Sequence, residues 1–151
     1  GLLIAQIILG GWTSTNYAAL GCPDLPFCYG EVWPQNMDMK EGFLKWQEFG
    51  KNYEGGLLTP PARTAIRFMH RFGALVLTLG LGLIIFKYIN HKSEQVRLAA
   101  KMLAAALVAQ LIIGVVMVWS SIALVFATAH NAFAAILLLA LVNLMYTIKF
   151  R

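Results

Sequence analysis

The sequence predicts an all-α membrane protein: a bundle of four transmembrane helices with a long loop on the outer side. Two observations predict this fold class. The chain is 59% hydrophobic and only 13% charged, and residues 1–23, 72–86 and 102–148 contain no Lys, Arg, Asp or Glu. A helix needs about 20 apolar residues to cross roughly 30 Å of hydrocarbon. The third run would measure about 70 Å as one helix, so it must turn and cross the membrane twice.

We place the spans in a single domain of 151 residues, near residues 1–19, 66–88, 101–122 and 127–148. The first run is not expected to be a cleaved signal peptide, because it has neither a basic start nor an Ala-x-Ala site. It also begins without a flanking polar residue. We therefore expect the chain to be one segment of a longer protein.

The basic residues predict the orientation, because cytoplasmic connections are rich in Lys and Arg. The cytoplasmic loop, residues 89–100, and its flanks hold one acid, Glu94, and four basic residues: Lys87, Lys92, Arg97 and Lys101. Two more basic residues, Lys149 and Arg151, lie at the C-terminus. The other connection, residues 21–65, holds six of the seven acids and is placed outside. These features predict an integral membrane protein in contact with lipid, with residues 21–65 on the outer face. The net charge of +5 reflects this topology. It does not indicate nucleic-acid binding, because the sequence lacks a basic stripe interleaved with aromatic residues.

The outer loop begins with the only two cysteines, Cys22 and Cys28, in the stretch "GCPDLPFCYG". On the oxidising side of a membrane, such a close pair predicts a disulfide. The disulfide could be a staple for the loop, or a redox pair that exchanges electrons with a partner. Zinc binding is disfavoured because the loop offers two thiols and no histidine.

A short amphipathic helix is predicted later in the loop, within "DMKEGFLKWQEFGKNY". Its apolar residues have three- and four-residue spacing: Met39, Phe43, Trp46, Phe49 and Tyr53. Asp38 and Glu41 resemble a capping box. We expect this helix either to rest at the membrane interface or to cover a ligand at the outer ends of the spans.

The chain contains a weak internal repeat of two helix pairs. "AQIILG" (residues 5–10) matches "AQLIIG" (residues 109–114), and "HRFGALVLTL" from His70 resembles "HNAFAAILLL" from His130. Gln6 is thus equivalent to Gln110. Because both pairs start on the same side, the repeat is a parallel one.

The two histidines of the repeat are the candidate cofactor ligands. His70 lies 17 residues before Lys87, and His130 lies 19 before Lys149, which places both near the outer leaflet, about 25 and 28 Å from those lysines. Two imidazoles from facing helices are the axial ligand set of a haem iron. A lone zinc or copper ion would need further ligands. The alternative is a pair of histidines that hydrogen-bond to neighbouring helices, while the third histidine, His91, is expected to be solvated.

Haem propionates require cations near water, and Arg67 and Arg71 flank His70 on one helix face. Arg71, which adjoins the candidate ligand, is the stronger candidate for a propionate contact, and Arg67 is the weaker one. The alternative is that both arginines are ordinary interfacial residues.

At this point the sequence resembles the haem A synthases of respiratory membranes. The resemblance is carried by "GGWTSTNYAALGCPDLPFCYG", "HRFGA" and "ATAHNAFAAILLL", in this order across the whole chain. It implies the oxidation of a methyl group of haem O to a formyl group, which yields haem A for cytochrome oxidase. It also implies eight spans in two four-span halves, of which this chain is one. One half handles the substrate haem, and the other holds a haem b that passes electrons.

The resemblance favours the haem b, electron-relay half, which is the C-terminal one. The substrate half carries a glutamate three residues before its second-helix histidine, whereas Arg67 occupies that position here. Methyl oxidation is expected to need such a base, so no catalytic residue is assigned. The expected partners are haem, the other half or a second copy, and an electron donor such as a quinol or a thiol–disulfide protein. The rival predictions are a non-catalytic b-type cytochrome-like carrier and a cofactor-free membrane assembly protein.

Overall fold

The computed structural model describes residues 1–44 and 57–150, and five α-helices joined by loops make up its regular structure. Its elements are α1 (Leu2–Thr15), α2 (Met39–Leu44), α3 (Pro60–Tyr88), α4 (Glu94–Trp119) and α5 (Leu124–Lys149). Within the described residues, β structure is limited to an isolated bridge between Cys28 and Glu31. The chain divides into two compact units, Gly1–Ala74 and Leu75–Arg151.

Three helices, α3, α4 and α5, are long and apolar enough to cross a membrane. They contain 29, 26 and 26 residues, and they overlap the second, third and fourth predicted spans. The uncharged run of residues 102–148 is divided between α4 and α5, as its length requires. Helix α1 is apolar but has only 14 residues, fewer than the roughly 20 that a span needs. The four-span count is therefore not confirmed.

Two helices begin before the predicted spans, in residues outside the apolar runs that we used to place those spans. Residues 60–65 were predicted as loop, but α3 begins at Pro60. Proline is well suited to a first helical turn, where the missing N–H has no partner to lose. Residues 94–100 were also predicted as loop, yet α4 begins at Glu94 after Ser93. An acid in the first turn is stabilised by the helix dipole.

In the first unit, α2 and the loop pack on the start of α3. A buried cluster there consists of Ala18, Leu58, Ala62 and Ile66, and Phe43 of α2 packs against it. The indole Nε1 of Trp12 in α1 donates to the carbonyl oxygen of Gly42 at 3.0 Å. The first unit is therefore held together by apolar burial at α3 and by a hydrogen bond between α1 and α2.

The predicted capping box is half formed. Asp38 Oδ1 accepts a hydrogen bond from the Glu41 N–H at 2.8 Å. However, Asp38 N–H donates to Pro61, and the Glu41 carboxylate accepts from the hydroxyl of Thr59. Glu41 thus connects α2 to the residue before α3. Helix α2 ends at Leu44, and the predicted contributions of residues 46, 49 and 53 lie outside the described residues.

In the second unit, α4 and α5 pack together as a hairpin. The buried stripe of α4 includes Val96, Ala99, Ala100, Leu103, Ala106 and Leu107. It has the three- and four-residue spacing of one helix face, and its alanines allow close backbone approach. Large apolar side chains remain exposed elsewhere in this unit, such as Leu124 at 81% and Phe86 at 83%. Such exposure is what a lipid environment would accommodate.

Candidate functional site

His70 lies in α3, where its ring contacts two residues of α1. Nε2 of Gln6 lies 3.1 Å from His70 Nδ1 and donates to the His70 carbonyl oxygen at 2.8 Å. A Cβ on Gly10 would stand 3.2 Å from Cε1 of the His70 ring. This imidazole therefore lies against the bare backbone of Gly10 and within reach of the Gln6 amide.

His130 lies in α5, where its ring contacts two residues of α4. Nε2 of Gln110 lies 3.4 Å from His130 Nε2. A Cβ on Gly114 would stand 3.1 Å from Cε1 and 3.5 Å from Nδ1 of the ring. Like His70, His130 is half-buried. The two units thus each bring a glutamine, a glycine and a histidine together.

The glutamine and glycine of each set are four residues apart, so they share one helix face. The internal repeat pairs Gln6 with Gln110 and His70 with His130, whereas the contacts of the two glycines with the rings are seen only in the structure. The sequence did mark these glycines, because the matching hexapeptides both end in glycine. It could not show that they contact the histidine rings, because a glycine's neighbours depend on how the helices pack.

Arg71 binds the cysteine loop. Its Nη1 donates to the carbonyl oxygens of Asp24 at 2.7 Å and Phe27 at 2.9 Å, and its Nη2 donates to that of Cys22 at 2.6 Å. A guanidinium offers five N–H donors in a rigid fork, and three carbonyls of one short loop use this fork. The propionate contact of Arg71 stays a prediction beside this observed role.

The predicted disulfide is formed between Cys22 and Cys28, whose Cα atoms are 4.8 Å apart. Both cysteines are buried, at 0% and 2% exposure. Because thiol–disulfide exchange requires access for the attacking thiolate, this burial favours the staple over the redox pair.

The loop also has an internal anchor in the carboxylate of Asp24. It accepts hydrogen bonds at 2.8 Å from the backbone N–H groups of Tyr29 and Gly30. These bonds, with Gly30 the larger contributor, lower the pKa of Asp24 below its ordinary 3.8. The pKa of Asp24 is therefore lower in the folded protein than in the unfolded chain. The two hydrogen bonds stabilise the fold fully above pH 3.8, and this stabilisation is lost as the pH falls through the pKa of the folded state.

Arg71→Met is expected to make the Cys22–Cys28 disulfide reducible about 10-fold faster or more. Hydrogen bonds from a charged donor contribute about 1.5–3 kcal/mol, so their loss should raise the open population of the loop. The measurement is the rate of disulfide reduction by a phosphine in detergent. Lys87→Met is the matched control, because Lys87 lies on the same helix and its ammonium stands over the ring of Tyr88. Equal rates in wild type and Arg71→Met would show that the arginine does not close the loop.

Arg67 is the most deeply buried of the predicted site residues outside the disulfide. It is 4% exposed, and its Nε has no hydrogen-bond partner within residues 1–44 and 57–150. A buried cationic donor without an acceptor is unfavourable. Arg71 Nε is likewise buried without a partner among the described residues, so deeper burial is what distinguishes Arg67, and the propionate contacts of both arginines stay predictions.

His91 is exposed, and its Nδ1 accepts a hydrogen bond from the Ser93 N–H at 3.1 Å. Across the described ranges, no three His, Cys, Asp or Glu side chains cluster in a way that could hold a metal ion. The histidines available for ligation inside apolar helices are therefore His70 and His130.

Three apolar helices of membrane-crossing length, with histidines inside two of them, define an all-helical integral membrane protein. The chain belongs to the COX15-CtaA family, the cytochrome oxidase assembly proteins, whose model matches residues 1–142. It is 39% identical over 145 residues to a protein named heme A synthase from Shewanella oneidensis, a match that covers 96% of this chain. The chain spans only 43% of that relative's length. No solved structure matches the chain.

Proposed function

We propose that this chain is a haem-binding membrane domain of a haem A synthase, the half that holds haem b and relays electrons. His70 and His130 would be the two axial ligands. The observation that carries the proposal is the matched surroundings of these histidines: each lies in an apolar helix against a glutamine and a glycine of another helix, α1 for His70 and α4 for His130. The family and the heme A synthase relative support it. We further propose that the helix pairs are repeats and that α1 completes a four-span bundle.

The donor set suits a haem. Imidazole binds iron in its neutral form, which an apolar environment favours. Arg67 supplies a buried cation with an unused donor at Nε, and a carboxylate is its natural acceptor. A haem bound here would supply one-electron chemistry at its iron, while the chain holds the ligands, neutralises carboxylates and excludes water.

Arg67→Met is expected to weaken haem binding about 10-fold or more, because a charge-assisted hydrogen bond to a propionate is lost. Binding of haem dimethyl ester, which has no free propionate, should be unaffected by the substitution. The measurement is a spectral titration of apo-protein with each haem. Lys87→Met should not change either affinity. An equal loss for haem and its ester would show that Arg67 acts only on folding.

Electron relay is proposed in preference to catalysis because of where the acids lie. Glu94, in the first turn of α4, is the one acid in α3, α4 and α5. It lies at the Lys- and Arg-rich end, far along the sequence from either histidine. Removal of a proton near a methyl group would be expected to need a base close to the ligand, and these helices offer none.

The proposed topology puts the disulfide loop on the periplasmic face of a bacterial inner membrane. The basic residues around α3 and α4 and at the C-terminus of α5 would lie in the cytoplasm. The partner is proposed to be the other four-helix half or a second copy of this chain. The electron donor is a quinol or a thiol–disulfide protein, and the burial of Cys22 and Cys28 favours the quinol.

A product assay tests the proposed function. Purified protein loaded with haem is supplied with haem O, a quinol and O₂, and porphyrins are separated by chromatography. We expect the chain alone to bind haem without forming haem A, and to support its formation when the remaining length of a haem A synthase is added. Haem A formed by the chain alone would overturn the relay assignment. Binding without any product in the combined assay would favour the cytochrome-like carrier, and no binding would favour the cofactor-free assembly protein.

A further inference from the structure

We propose that Gln6 and Gln110 are positioning residues that set the ring orientation and proton location of His70 and His130. The inference rests on the proposed function and deepens it, because it concerns the groups behind the iron ligands. A ligating histidine must be held by a hydrogen bond from its other ring nitrogen, and this bond tunes the basicity of the ligand. Each histidine has one glutamine amide within reach of a ring nitrogen, Nδ1 in His70 and Nε2 in His130.

The Gln6 amide is engaged twice by the same histidine. Its Nε2 donates to the His70 carbonyl oxygen at 2.8 Å, which fixes the nitrogen end of the amide toward that residue. The same nitrogen is 3.1 Å from Nδ1, so in this arrangement Nδ1 is the acceptor and the proton of the neutral ring belongs on Nε2. Metal binding through Nε2 moves the ring proton to Nδ1, where it needs an acceptor. Rotation of the Gln6 amide, which gives up the bond to the His70 carbonyl oxygen, would present Oε1 as that acceptor.

In the Gln110 amide, the oxygen atom is the one that lacks a hydrogen-bond donor within residues 1–44 and 57–150. Its Oε1 is buried and has no hydrogen-bond partner among the described residues, while its Nε2 lies 3.4 Å from the His130 ring. An unsatisfied buried acceptor is unfavourable. The ring nitrogen that faces this amide is Nε2 of His130, and an imidazole that binds iron through Nδ1 carries its proton on Nε2. Rotation of the Gln110 amide would then let Oε1 accept that N–H.

Glycine lets a helix backbone come close to each ring. A Cβ at Gly10 or Gly114 would stand 3.2 or 3.1 Å from Cε1 of its histidine, closer than ordinary van der Waals contact. The ring would have to shift by a few tenths of an ångström, and this would change its position relative to the glutamine. Gly11 is the neighbour of Gly10 on α1, and a Cβ there would meet nothing within 4 Å.

The test titrates the 151-residue chain with haem, with three readouts: affinity, electron paramagnetic resonance g-values and midpoint potential. Gln6→Met and Gln110→Met keep the side-chain length and remove the hydrogen bond, and each is expected to weaken binding about 10–100-fold and to shift the g-values. Gln6→Glu and Gln110→Glu restore an acceptor. They should recover affinity and lower the potential, because a stronger acceptor makes the ring more electron-donating.

Gly10→Ala should reproduce the g-value shift of Gln6→Met, whereas Gly11→Ala should leave affinity and g-values unchanged. Both alanines raise helix propensity equally, so a difference between them reports the ring contact. Methionine variants with wild-type affinity, g-values and potential would overturn the inference, even if His70→Ala and His130→Ala abolish binding. A wild-type protein that binds no haem would instead overturn the proposed function beneath it.

Discussion

His70→Ala and His130→Ala are each expected to abolish the low-spin haem signal and to weaken haem binding by more than about 100-fold. Loss of a residue that hydrogen-bonds to a metal ligand typically weakens metal binding about 10–100-fold. Loss of the ligand itself should have a larger effect. With one imidazole removed, any haem that remains should be high-spin, since the strong-field ligand pair is broken. The measurement is a spectral titration of each purified variant.

His91→Ala is the matched control for both variants. His91 is exposed, and its ring nitrogen Nδ1 bonds only to the backbone of the adjoining turn among the contacts described above. It should bind haem like wild type. If His130→Ala kept a low-spin spectrum and wild-type affinity, the ligand set proposed here would be wrong, and a different residue would have to supply the second ligand.

Gly21→Ala is expected to give the largest loss of stability among single methyl additions. A Cβ at Gly21 would stand 2.6 Å from the carbonyl oxygen of Arg63 and 3.0 Å from the backbone nitrogen of Thr64. These are backbone atoms of α3, so they cannot move aside as a flexible side chain can. The loop would lift from α3 and lose the 2.9 Å hydrogen bond from the Thr64 hydroxyl to the Gly21 carbonyl oxygen. We expect a cost of about 1–3 kcal/mol and a melting temperature lower by roughly 5 °C or more.

Thermal unfolding in detergent, followed by circular dichroism, measures this effect. Gly11→Ala is the control, because it adds the same methyl group in open space. The Cys22–Cys28 disulfide should also become more accessible to a phosphine in Gly21→Ala. A melting temperature equal to that of Gly11→Ala would show that the loop does not approach α3 as closely as described here.

Much of the fold was predictable because it depends on apolar run lengths. The run of residues 102–148 is too long for one crossing, and the chain turns between α4 and α5. The predicted helix starts were less accurate, because polar first turns at Pro60 and Glu94 carry no apolar signal. The first span was overestimated for a related reason: residues 16–19 are uncharged, but they are not helical.

The Cys22–Cys28 disulfide was also predictable, since the two cysteines are close in sequence, whereas the role of the two histidines stays a prediction. The role of Arg71 was not predictable. Its carbonyl partners lie 44 to 49 residues earlier in the chain, and backbone acceptors have no residue-type signature. The packing of Gly10 and Gly114 against imidazoles was hidden for the same reason, since it depends on how neighbouring helices face each other.

The most direct test of the central claim is a reduced-minus-oxidised absorption spectrum of the purified wild-type protein after haem is supplied. The account predicts a low-spin, b-type signal with a stoichiometry of about one haem per chain, as two axial imidazoles allow. A folded protein that stays colourless under these conditions would contradict the account and leave the cofactor-free assembly protein as the better explanation.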